Sequence, residues 1–466
     1  MTTPTRALDR PSDLALYCVE YEVDSCLPQG ISPDADPEGY LAAYCGQVDY
    51  ASQTYPRATV LPLSECEDEP SRVRIENYLS AVRQAAFITG RDVNYPCCAP
   101  GTAPCDAKHP VCSRRLLAAL VTNTARGELA VAEVQQRSTG QVKNGVLRNL
   151  HGGKPGFGFL PVGRLPAHVR TFSPSESRSG SLITSPNAWG VTANAGSCDL
   201  SIVSLQRIAE ISARADICDQ AGQYCPGRDC TSDSCPKTVQ PYLPGAGGAR
   251  RPLQARPTWI EVAPWSSGTQ RVALVAYPTC GVVASVALSD ASGACSPEAG
   301  CGQVLDALGF DKAGKPYVLS ATDLANLSCA ADCGLDGAGS LMPDPASIPI
   351  GGAGRPLAYP STLAVDTQTS RLFVGDAYGD RLTIVDLDVS GAGGAHFRGA
   401  PRLIQLDFDV LPESLRGGQR GTTAIRIARR TAAGQFAYIA AADGSIRVVD
   451  LDREVECETN PDPRYL

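Results

Sequence analysis

The sequence predicts an all-β protein, a β-propeller of about six or seven four-stranded blades with long disulfide-rich loop insertions. Three observations predict it. A strand–turn–strand segment recurs five times, 45 glycines and 36 prolines supply turns, and the 19 cysteines gather mainly between the recurring segments. A chain of 466 residues can form one large β domain, so we predict a single propeller over residues 1–466.

The recurring segments have the pattern of β-hairpins. Each has an apolar strand, a polar turn containing Gly or Asp, and a second strand of alternating apolar side chains such as Ile446 and Val448. They span residues 116–134, 188–205, 271–288, 371–388 and 435–452. Small residues allow a tight turn, and a two-residue period buries one face of a sheet, so each segment predicts a pair of antiparallel strands.

Further strands extend these hairpins into larger units. A third strand precedes three of them, at residues 256–264, 359–368 and 422–430. A fourth is suggested within 156–169, where 159–162 could end one unit and the following residues lead into the next. Four-stranded antiparallel units repeated around an axis leave few exposed edges, which is why the pattern predicts a propeller.

The unit boundaries follow from these strands. We place the clearest blade segments at 72–134, 156–205, 256–290, 356–388 and 421–452, and cysteine-rich insertions at about 91–114, 206–256 and 289–355. Upstream, 9–22 and 72–90 could supply an earlier blade and the inner strand of the first hairpin's blade, although 72–90 also fits a short helix. Either the N-terminal strand closes the ring or the ring is incomplete.

The cysteine spacing favours disulfides over metal sites. Zinc sites usually contain Cys-x2-4-Cys pairs, whereas none of the clusters here contains CxxC. The predicted disulfide cysteines are Cys97, Cys98, Cys105, Cys112, Cys218, Cys225, Cys230, Cys235, Cys280, Cys295, Cys301, Cys329 and Cys333. Their pairing stays open, and we expect local cross-links that brace long loops. Disulfides in this number indicate an extracytoplasmic protein: periplasmic, anchored to an outer membrane, or secreted.

The start of the chain does not match that compartment. Residues 1–10 are polar and contain no apolar leader. We therefore expect that Met1 is not the biological start, or that a leader or lipid-anchored stretch has been removed.

Charge and hydropathy exclude two classes of partner. The formal net charge is −8 and only 19% of residues are charged, so no basic field indicates nucleic acid or an anionic membrane surface. No apolar run reaches the roughly 18–20 residues that cross a bilayer. We predict membrane association only through a lipid anchor that this sequence lacks. The expected partner is a protein or a cell-envelope ligand.

Two hairpins and one junction carry a family resemblance. The segments LFVGDAYGDRLTIVDLD (372–388) and AYIAAADGSIRVVDLD (437–452), with the junction LPVGRLPAHV (160–169), resemble the YVTN-type β-propeller repeat. Similar segments cover about 250 of the 466 residues. The cysteine-rich insertions are similar to those of secreted bacterial propeller lipoproteins. This resemblance implies a ring with a central channel. It keeps a lactonase-like activity open as an alternative, but it implies no defined chemistry.

Familiar catalytic signatures are missing from the sequence. The four histidines are His109, His151, His168 and His396, and no HExxH, CxxCH or G-x-S-x-G pattern occurs. We therefore predict no catalytic residues, no metal site and no cofactor. Asp34, Asp36 and Glu38 occupy positions of a partial calcium loop, but Cys45 stands where the bidentate Glu should be, and a solvated acidic loop is the alternative.

Candidate ligand-binding residues lie in the hairpin turns and blade junctions. They are Asn123, Asn194, Asp376, Tyr378, Asp380 and Asp443 in turns, with Arg164, His168 and Arg355 in junctions. Turns at equivalent positions of successive blades emerge on the same face, so these side chains could form a ring-shaped surface. Asn, Asp and Gly are also the residues that tight turns need for their own backbone.

The favoured function is therefore an extracytoplasmic binding or scaffold module without a catalytic apparatus. One alternative is a lactonase-like propeller hydrolase that uses a divalent cation at the channel mouth. Another is a surface-adhesion structural protein. Clustering of His168, Arg164, Arg355 and carboxylates at one channel mouth would favour the enzyme, and scattered placement would favour binding.

Overall fold

A computed structural model describes most of the predicted strands. The described residues are 8, 10–22, 30–45, 57–61, 81–91, 93, 113–136, 142–148, 159–172, 188–206, 208–209, 236–245, 248–264, 270–289, 295, 300–311, 314–329, 333, 359–379, 381–390, 394–406, 421–442 and 444–457. Within them, no helix combines the length and the apolar character that crossing a bilayer would take.

The first sheet, blade 1, is built around the N-terminal strand. Its strands are β1 (Pro11–Glu22), β2 (Arg57–Leu61), β3 (Ser113–Asn123), β4 (Glu128–Gln136), β5 (Val142–Arg148) and β6 (Leu160–Pro161). They are ordered β2-β1-β3-β4-β5, and the short β6 pairs with β4. Two short helices, Pro37–Cys45 and the helix over 81–88, lie between β1 and β3 in the chain.

Blades 2 and 3 follow with their strands in chain order. Blade 2 contains β7 (Pro166–Phe172), β8 (Trp189–Asn194), β9 (Asp199–Ser204) and β10 (Lys237–Val239). A small two-stranded sheet comes next, β11 (Tyr242–Pro244) with β12 (Arg250–Pro252). Blade 3 contains β13 (Trp259–Val262), β14 (Val272–Tyr277), β15 (Val282–Ala287), β16 (Val304–Phe310) and β17 (Pro316–Val318), and a short helix, Ala321–Asn326, follows it.

Blades 4 and 5 complete the series. Blade 4 contains β18 (Pro360–Asp366), β19 (Arg371–Asp376), β20 (Arg381–Asp388) and β21 (His396–Gln405). Blade 5 contains β22 (Thr422–Ile427), β23 (Phe436–Ala441), β24 (Ile446–Asp450) and β25 (Val455–Glu456). All strand pairs within the five blades are antiparallel.

The predicted propeller class is confirmed, with each recurring segment forming the expected hairpin. The described residues form five blades, where six or seven were expected. The difference has a structural cause at the N-terminus. Strand β1 pairs with β3 in a long register that includes Cys18 opposite Leu117, so the N-terminal segment completes blade 1 and does not start an earlier one. The residues over 81–88 form the alternative helix.

Tight turns in two hairpins depend on glycine. The β3–β4 turn ends at Gly127 with φ 68°, and the β14–β15 turn ends at Gly281 with φ 67°. Both values lie in the left-handed region, which costs a side chain with a Cβ atom extra free energy. The same position in the β8–β9 turn is Cys198, with φ 56°.

The cores lie between the faces of neighbouring blades. One cluster joins blades 1 and 2 and includes Leu120 and Val169; a second joins blades 2 and 3 and includes Val191 and Val275. Two further clusters join blade 3 to blade 4 and blade 4 to blade 5. Burying such aliphatic side chains stabilises the fold by about 1.5–3 kcal/mol each, so the two-residue period of the strands also determines how blades stack.

The inner strands line the centre of the ring. Strand β1 lies against β7, β7 against β13, β13 against β18, and β18 against β22. The first strand of each blade therefore borders the central channel, and side chains from distant parts of the sequence can meet there.

Disulfides cross-link the loops of blades 2 and 3. The described pairs are Cys198–Cys333, Cys280–Cys329 and Cys295–Cys301. The predicted disulfide bonding is confirmed for Cys280, Cys295, Cys301, Cys329 and Cys333, whereas Cys198 was not among the predicted cysteines. The disulfides indicate an oxidising environment. The first pair spans 135 residues, so this cross-link is long-range, whereas local cross-links were expected. The other predicted cysteines, Cys97, Cys98, Cys105, Cys112, Cys218, Cys225, Cys230 and Cys235, lie outside the described residues.

Candidate functional site

Charged and aromatic side chains from three inner strands meet beside the channel, within reach of the charge of an arginine on a fourth. We call this group the channel cluster. It consists of Asp13 on β1, His168 and Arg170 on β7, Trp259 and Glu261 on β13, and Arg426 on β22. All six are on strands that border the channel, so the ring brings together residues separated by more than 400 positions in the sequence.

Arg170, on blade 2, connects a carboxylate of blade 1 with a carboxylate of blade 3. Its Nη1 lies 3.1 Å from Oδ2 of Asp13, and its Nε lies 2.8 Å from Oε1 of Glu261. The indole Nε1 of Trp259 donates a hydrogen bond of 3.3 Å to the same Oε1. The arginine thus fixes one oxygen of each carboxylate, and its positive charge compensates the burial of both negative charges.

Inner-strand side chains also bind the backbone of the next inner strand. The Val169 N–H donates to Oδ2 of Asp13 over 2.9 Å, which joins blade 2 to blade 1. The Ile260 N–H donates to Nδ1 of His168 over 3.3 Å, which joins blade 3 to blade 2. These bonds hold the channel cluster at fixed positions relative to the ring.

His168 is buried and neutral. Burial, followed by the charge of Arg170, lowers the pKa of His168 well below its ordinary value. Because Nδ1 accepts the Ile260 N–H, the proton is on Nε2, which lies 3.2 Å from Oδ2 of Asp13 without the alignment of a hydrogen bond. The ring packs on Trp259 with 3.9 Å between centroids, so both nitrogens are covered.

The two carboxylates are partly desolvated. Burial raises the pKa of Asp13 and of Glu261, and the Arg170 charge opposes this in both. The side chains are 20% and 14% exposed. Among the described residues, Oε2 of Glu261 accepts no hydrogen bond, so this carboxylate keeps one oxygen for another donor.

Arg426 is the exposed cation of the channel cluster. Its positive charge acts on Asp13, His168 and Glu261. The side chain is exposed, and no hydrogen bond or salt bridge joins it to any residue that the structure describes. An exposed guanidinium can bind a group that accepts hydrogen bonds, while a carboxylate oxygen binds donors.

The structure separates His168 from Arg164, its neighbour in the junction. The Arg164 N–H donates to Oγ of Ser197 over 3.0 Å, and its Nη2 lies 3.4 Å from the carbonyl of Gly196. This arginine therefore holds the β8–β9 turn and is not part of the channel cluster. Arg355, the third junction residue, lies outside the described residues.

Three predicted turn residues are buried within their own hairpins. Asn123 donates to Glu128 over 3.2 Å, and Asn194 donates to Asp199 over 2.7 Å. Asp376 accepts from three backbone N–H groups and lies 2.9 Å from Nε of Arg381. Burial raises the pKa of Asp376, and Arg381 opposes this shift. These contacts stabilise the turns and leave little for a ligand.

The remaining turn candidates give no common site. Tyr378 packs edge-on against Tyr359, with 5.5 Å between ring centroids. Asp380 and Asp443 lie outside the described residues.

The partial calcium loop does not assemble in the described chain. Oδ1 of Asp36 accepts the Gly39 N–H over 2.9 Å, Glu38 pairs with Arg91 at 3.1 Å, and Asp34 binds Gln84. Each carboxylate thus has a different protein partner. Across the part of the chain that the structure describes, no group of three or more His, Cys, Asp or Glu residues could hold a metal ion.

Sequence reasoning missed five of the six channel residues. Asp13, Arg170, Trp259, Glu261 and Arg426 all lie in or beside segments identified as inner strands. A usable signal was present, because charged residues at alternate positions of a strand that should be apolar indicate a wetted face. Only the ring shows that these positions face one another.

Comparison with known proteins adds little to this site. No protein-family model matches the chain, and no curated protein matches it in sequence. Among solved structures, apo AztD from Citrobacter koseri is similar with 13% identity and a TM-score of 0.29, over 73% of this chain and 68% of that one. A putative 6-phosphogluconolactonase from Bacteroides uniformis is similar with 10% identity and a TM-score of 0.30, over 74% and 81%. At these values the likenesses carry no inference about ligand or reaction, and the propeller arrangement rests on the strands themselves.

Proposed function

We propose that this protein is an extracytoplasmic binding module whose central channel holds a small polar ligand at the channel cluster. One observation carries the proposal. Arg426 is exposed and has no hydrogen-bond or salt-bridge partner in the described chain, its charge reaches Asp13 and Glu261, and Glu261 keeps one unused oxygen.

The arrangement defines the chemistry of the ligand. Arg426 offers hydrogen-bond donors, whereas Oε2 of Glu261 offers an acceptor. The cluster holds two positive and two negative side chains with a neutral His168, so it favours a ligand without large net charge. A ligand that carries hydroxyl or ammonium donors together with an acceptor fits best, such as a neutral sugar or a zwitterion.

Rigid support also favours binding. Arg170 and the Val169 N–H hold Oδ2 of Asp13, and Arg170 with Trp259 holds Oε1 of Glu261. A site held in place before the ligand arrives loses less conformational entropy on binding.

The state of His168 favours binding over lactonase-like hydrolysis. This residue does lie with carboxylates beside the channel, which is part of the pattern expected for an enzyme. However, Nδ1 accepts the Ile260 N–H and the ring is only 3% exposed. A histidine without a lone pair open to the channel cannot act there as a general base or hold a divalent cation.

The compartment follows from the covalent structure. Three disulfides within the described residues support an oxidising, extracytoplasmic location.

A thermal-shift screen tests the proposed function. The probes are neutral monosaccharides, zwitterionic amino acids and small hydroxy acids, and any compound that raises the Tm is then measured by calorimetry. We expect such a compound to stabilise the protein and the control Arg398→Ala, an exposed arginine of β21, but not Arg426→Ala. A panel without any hit, or a hit that Arg426→Ala binds equally well, contradicts the proposal.

A further inference from the structure

The channel cluster contains as many positive as negative side chains, but its charges are unevenly placed. Asp13 and Glu261 both contact Arg170, at 3.1 and 2.8 Å. Two carboxylates therefore share one guanidinium, and His168 beside them is neutral, so this part of the cluster carries one excess negative charge. The balancing positive charge is that of Arg426 on blade 5, which reaches Asp13 and Glu261. Within the described chain, no hydrogen bond or salt bridge joins it to either carboxylate.

Glu261 has an oxygen that can take a further donor. Its Oε1 accepts hydrogen bonds from Nε of Arg170 and Nε1 of Trp259, over 2.8 and 3.3 Å, and two donors on one oxygen favour the ionised carboxylate. In the part of the chain that the structure describes, no donor reaches Oε2. Burial raises the pKa of Glu261, which means that the charged carboxylate lacks solvation and that a positive donor stabilises it more than a neutral one.

Arg170 does not attract an anionic ligand group to the same place. Its Nε is bonded to Glu261, and its Nη1 donates to Oδ2 of Asp13 and to the Val169 carbonyl, over 3.1 and 2.8 Å. An anion that approached this guanidinium would meet the excess negative charge of the two carboxylates beside it. Arg426 is the cation of the cluster that is exposed and has no carboxylate partner in the described chain, so an anionic group is directed there.

We propose that the channel cluster binds a small zwitterion, with the ligand's ammonium group on Glu261 and its carboxylate on Arg426. This inference rests on the proposed function, because it names the class of ligand for the same site. Hydrogen bonds between a charged donor and a charged acceptor are shorter and about twice as strong as neutral ones. A zwitterion forms such bonds at both positions and adds no net charge to the cluster.

Three other kinds of ligand match the cluster less well. A neutral sugar donates only hydroxyl groups to Glu261 and offers Arg426 only neutral oxygens. A hydroxy acid brings a second negative charge without neutralising the first, and an amine without a carboxylate leaves the charge of Arg426 without an anion. The separated charges of the cluster therefore select for a ligand that carries both groups.

Isothermal titration calorimetry of the full chain tests this assignment with matched probes. The amino acids glycine, β-alanine and γ-aminobutyrate carry both charges at increasing separation, because the distance between Glu261 and Arg426 decides which length fits. Each has a hydroxy-acid analogue without the ammonium group and an amide analogue without the carboxylate. We expect the best amino acid of the series to bind about tenfold tighter than either of its analogues and than glucose.

The variant Glu261→Gln keeps the shape of the side chain and removes its charge. It should bind the best amino acid about tenfold more weakly and the hydroxy-acid analogue with little change, so that the preference for the ammonium group is lost. The matched control is Glu38→Gln, an exposed glutamate of the helix Pro37–Cys45, which should keep both affinities within about threefold. Circular dichroism shows whether both variants stay folded. If Glu261→Gln does not, the probe series on the wild-type chain decides alone.

The outcomes separate this inference from the proposed function. If glucose, a hydroxy acid or an amide binds as tightly as the amino acids, or if every ligand found by the thermal-shift screen lacks an ammonium group, the zwitterion is wrong and a binding site for polar ligands remains. A folded Glu261→Gln protein that keeps the wild-type preference for the ammonium group overturns the assignment of that group to Glu261. If none of these probes and no compound of the screen binds, the proposed function fails as well.

Discussion

The Nε atom of Arg170 lies 2.8 Å from Oε1 of Glu261, which pairs a side chain of blade 2 with the inner strand of blade 3. The same guanidinium also reaches Asp13 on blade 1. One arginine therefore links three consecutive blades where they border the channel, and the stability of the ring should depend on it.

Replacing Arg170 by Met should destabilise the protein by about 2–3 kcal/mol, because two partly buried carboxylates lose their shared cation. Chemical denaturation followed by circular dichroism measures the change. The control Arg126→Met alters an exposed arginine in the β3–β4 turn and should cost less than about 0.5 kcal/mol. Adding Glu261→Gln to Arg170→Met should recover part of the loss, and an unchanged stability of Arg170→Met would show that the bridge is not important.

His168 should make the protein less stable as the pH falls from 7 to 5. Its folded pKa is lowered, so below an unfolded value of about 6.5 the unfolded chain binds more protons than the folded chain. The expected loss at pH 5 is about 2 kcal/mol for one such group. Denaturation at both pH values should show a smaller pH effect in His168→Gln than in the control His396→Gln.

Asp13 and Glu261 change the stability in the opposite direction to His168, and they do so at lower pH. Their raised pKa values mean that stability falls as the pH rises from their unfolded values through their folded values. Their contribution therefore partly offsets that of His168 toward the acidic end. A His168→Gln protein that keeps the full loss of stability between pH 7 and 5 would contradict the buried neutral histidine.

The three disulfides should stabilise the protein in the order of the chain lengths that they close. The separations are 135, 49 and 6 residues for Cys198–Cys333, Cys280–Cys329 and Cys295–Cys301. Loop entropy predicts losses of about 5, 4 and 2 kcal/mol when each pair is changed to alanine. The Tm values of the three double variants measure the order, and equal losses would contradict an entropic origin.

The first two of these disulfides should also affect ligand binding in the channel. Cys198 and Cys280 lie in the equivalent turns of blades 2 and 3, and both are tied to cysteines within 329–333. This cross-link holds the two blades that carry His168 and Glu261. Removing both pairs should therefore lower the affinity for a ligand of the channel more than removing Cys295–Cys301 does. Calorimetry can compare the two affinities.

A surface ion pair between β20 and β21 should contribute little to the free energy of unfolding. Arg402 contacts both carboxylate oxygens of Asp386 at 2.9 and 3.0 Å, and its Nε lies 2.8 Å from Glu454. Hydrogen bonds from Arg402 lower the pKa of Asp386, so this contribution is lost as the pH falls through the folded pKa. Both groups are at least one third exposed, and solvent screens the pair.

Accordingly, Arg402→Lys should cost only about 0.5–1 kcal/mol, through loss of the two-pronged contact. Denaturation at low salt and in 1 M NaCl measures it, and the difference from wild type should shrink at high salt. The control is Arg398→Lys, an exposed arginine of the same strand. A loss as large as that of Arg170→Met would contradict a screened surface pair.

Local pattern predicted the strands well. The segment 371–388 forms β19 and β20, and 435–452 forms β23 and β24, because alternation and turn residues act over a few positions. The role of residues 11–22 could not be derived in the same way. Whether this strand starts a blade or completes one depends on its pairing with β3, about a hundred residues away.

The sequence by itself determined the strand pairs, the turns between them and the use of cysteine for cross-links, since these depend on neighbouring residues and on composition. Only the tertiary structure decided that Asp13, Arg170 and Glu261 meet beside the channel and that Cys198 pairs with Cys333. The physical reason is distance along the chain. Contacts between residues hundreds of positions apart depend on how whole blades pack, and no local pattern records that packing.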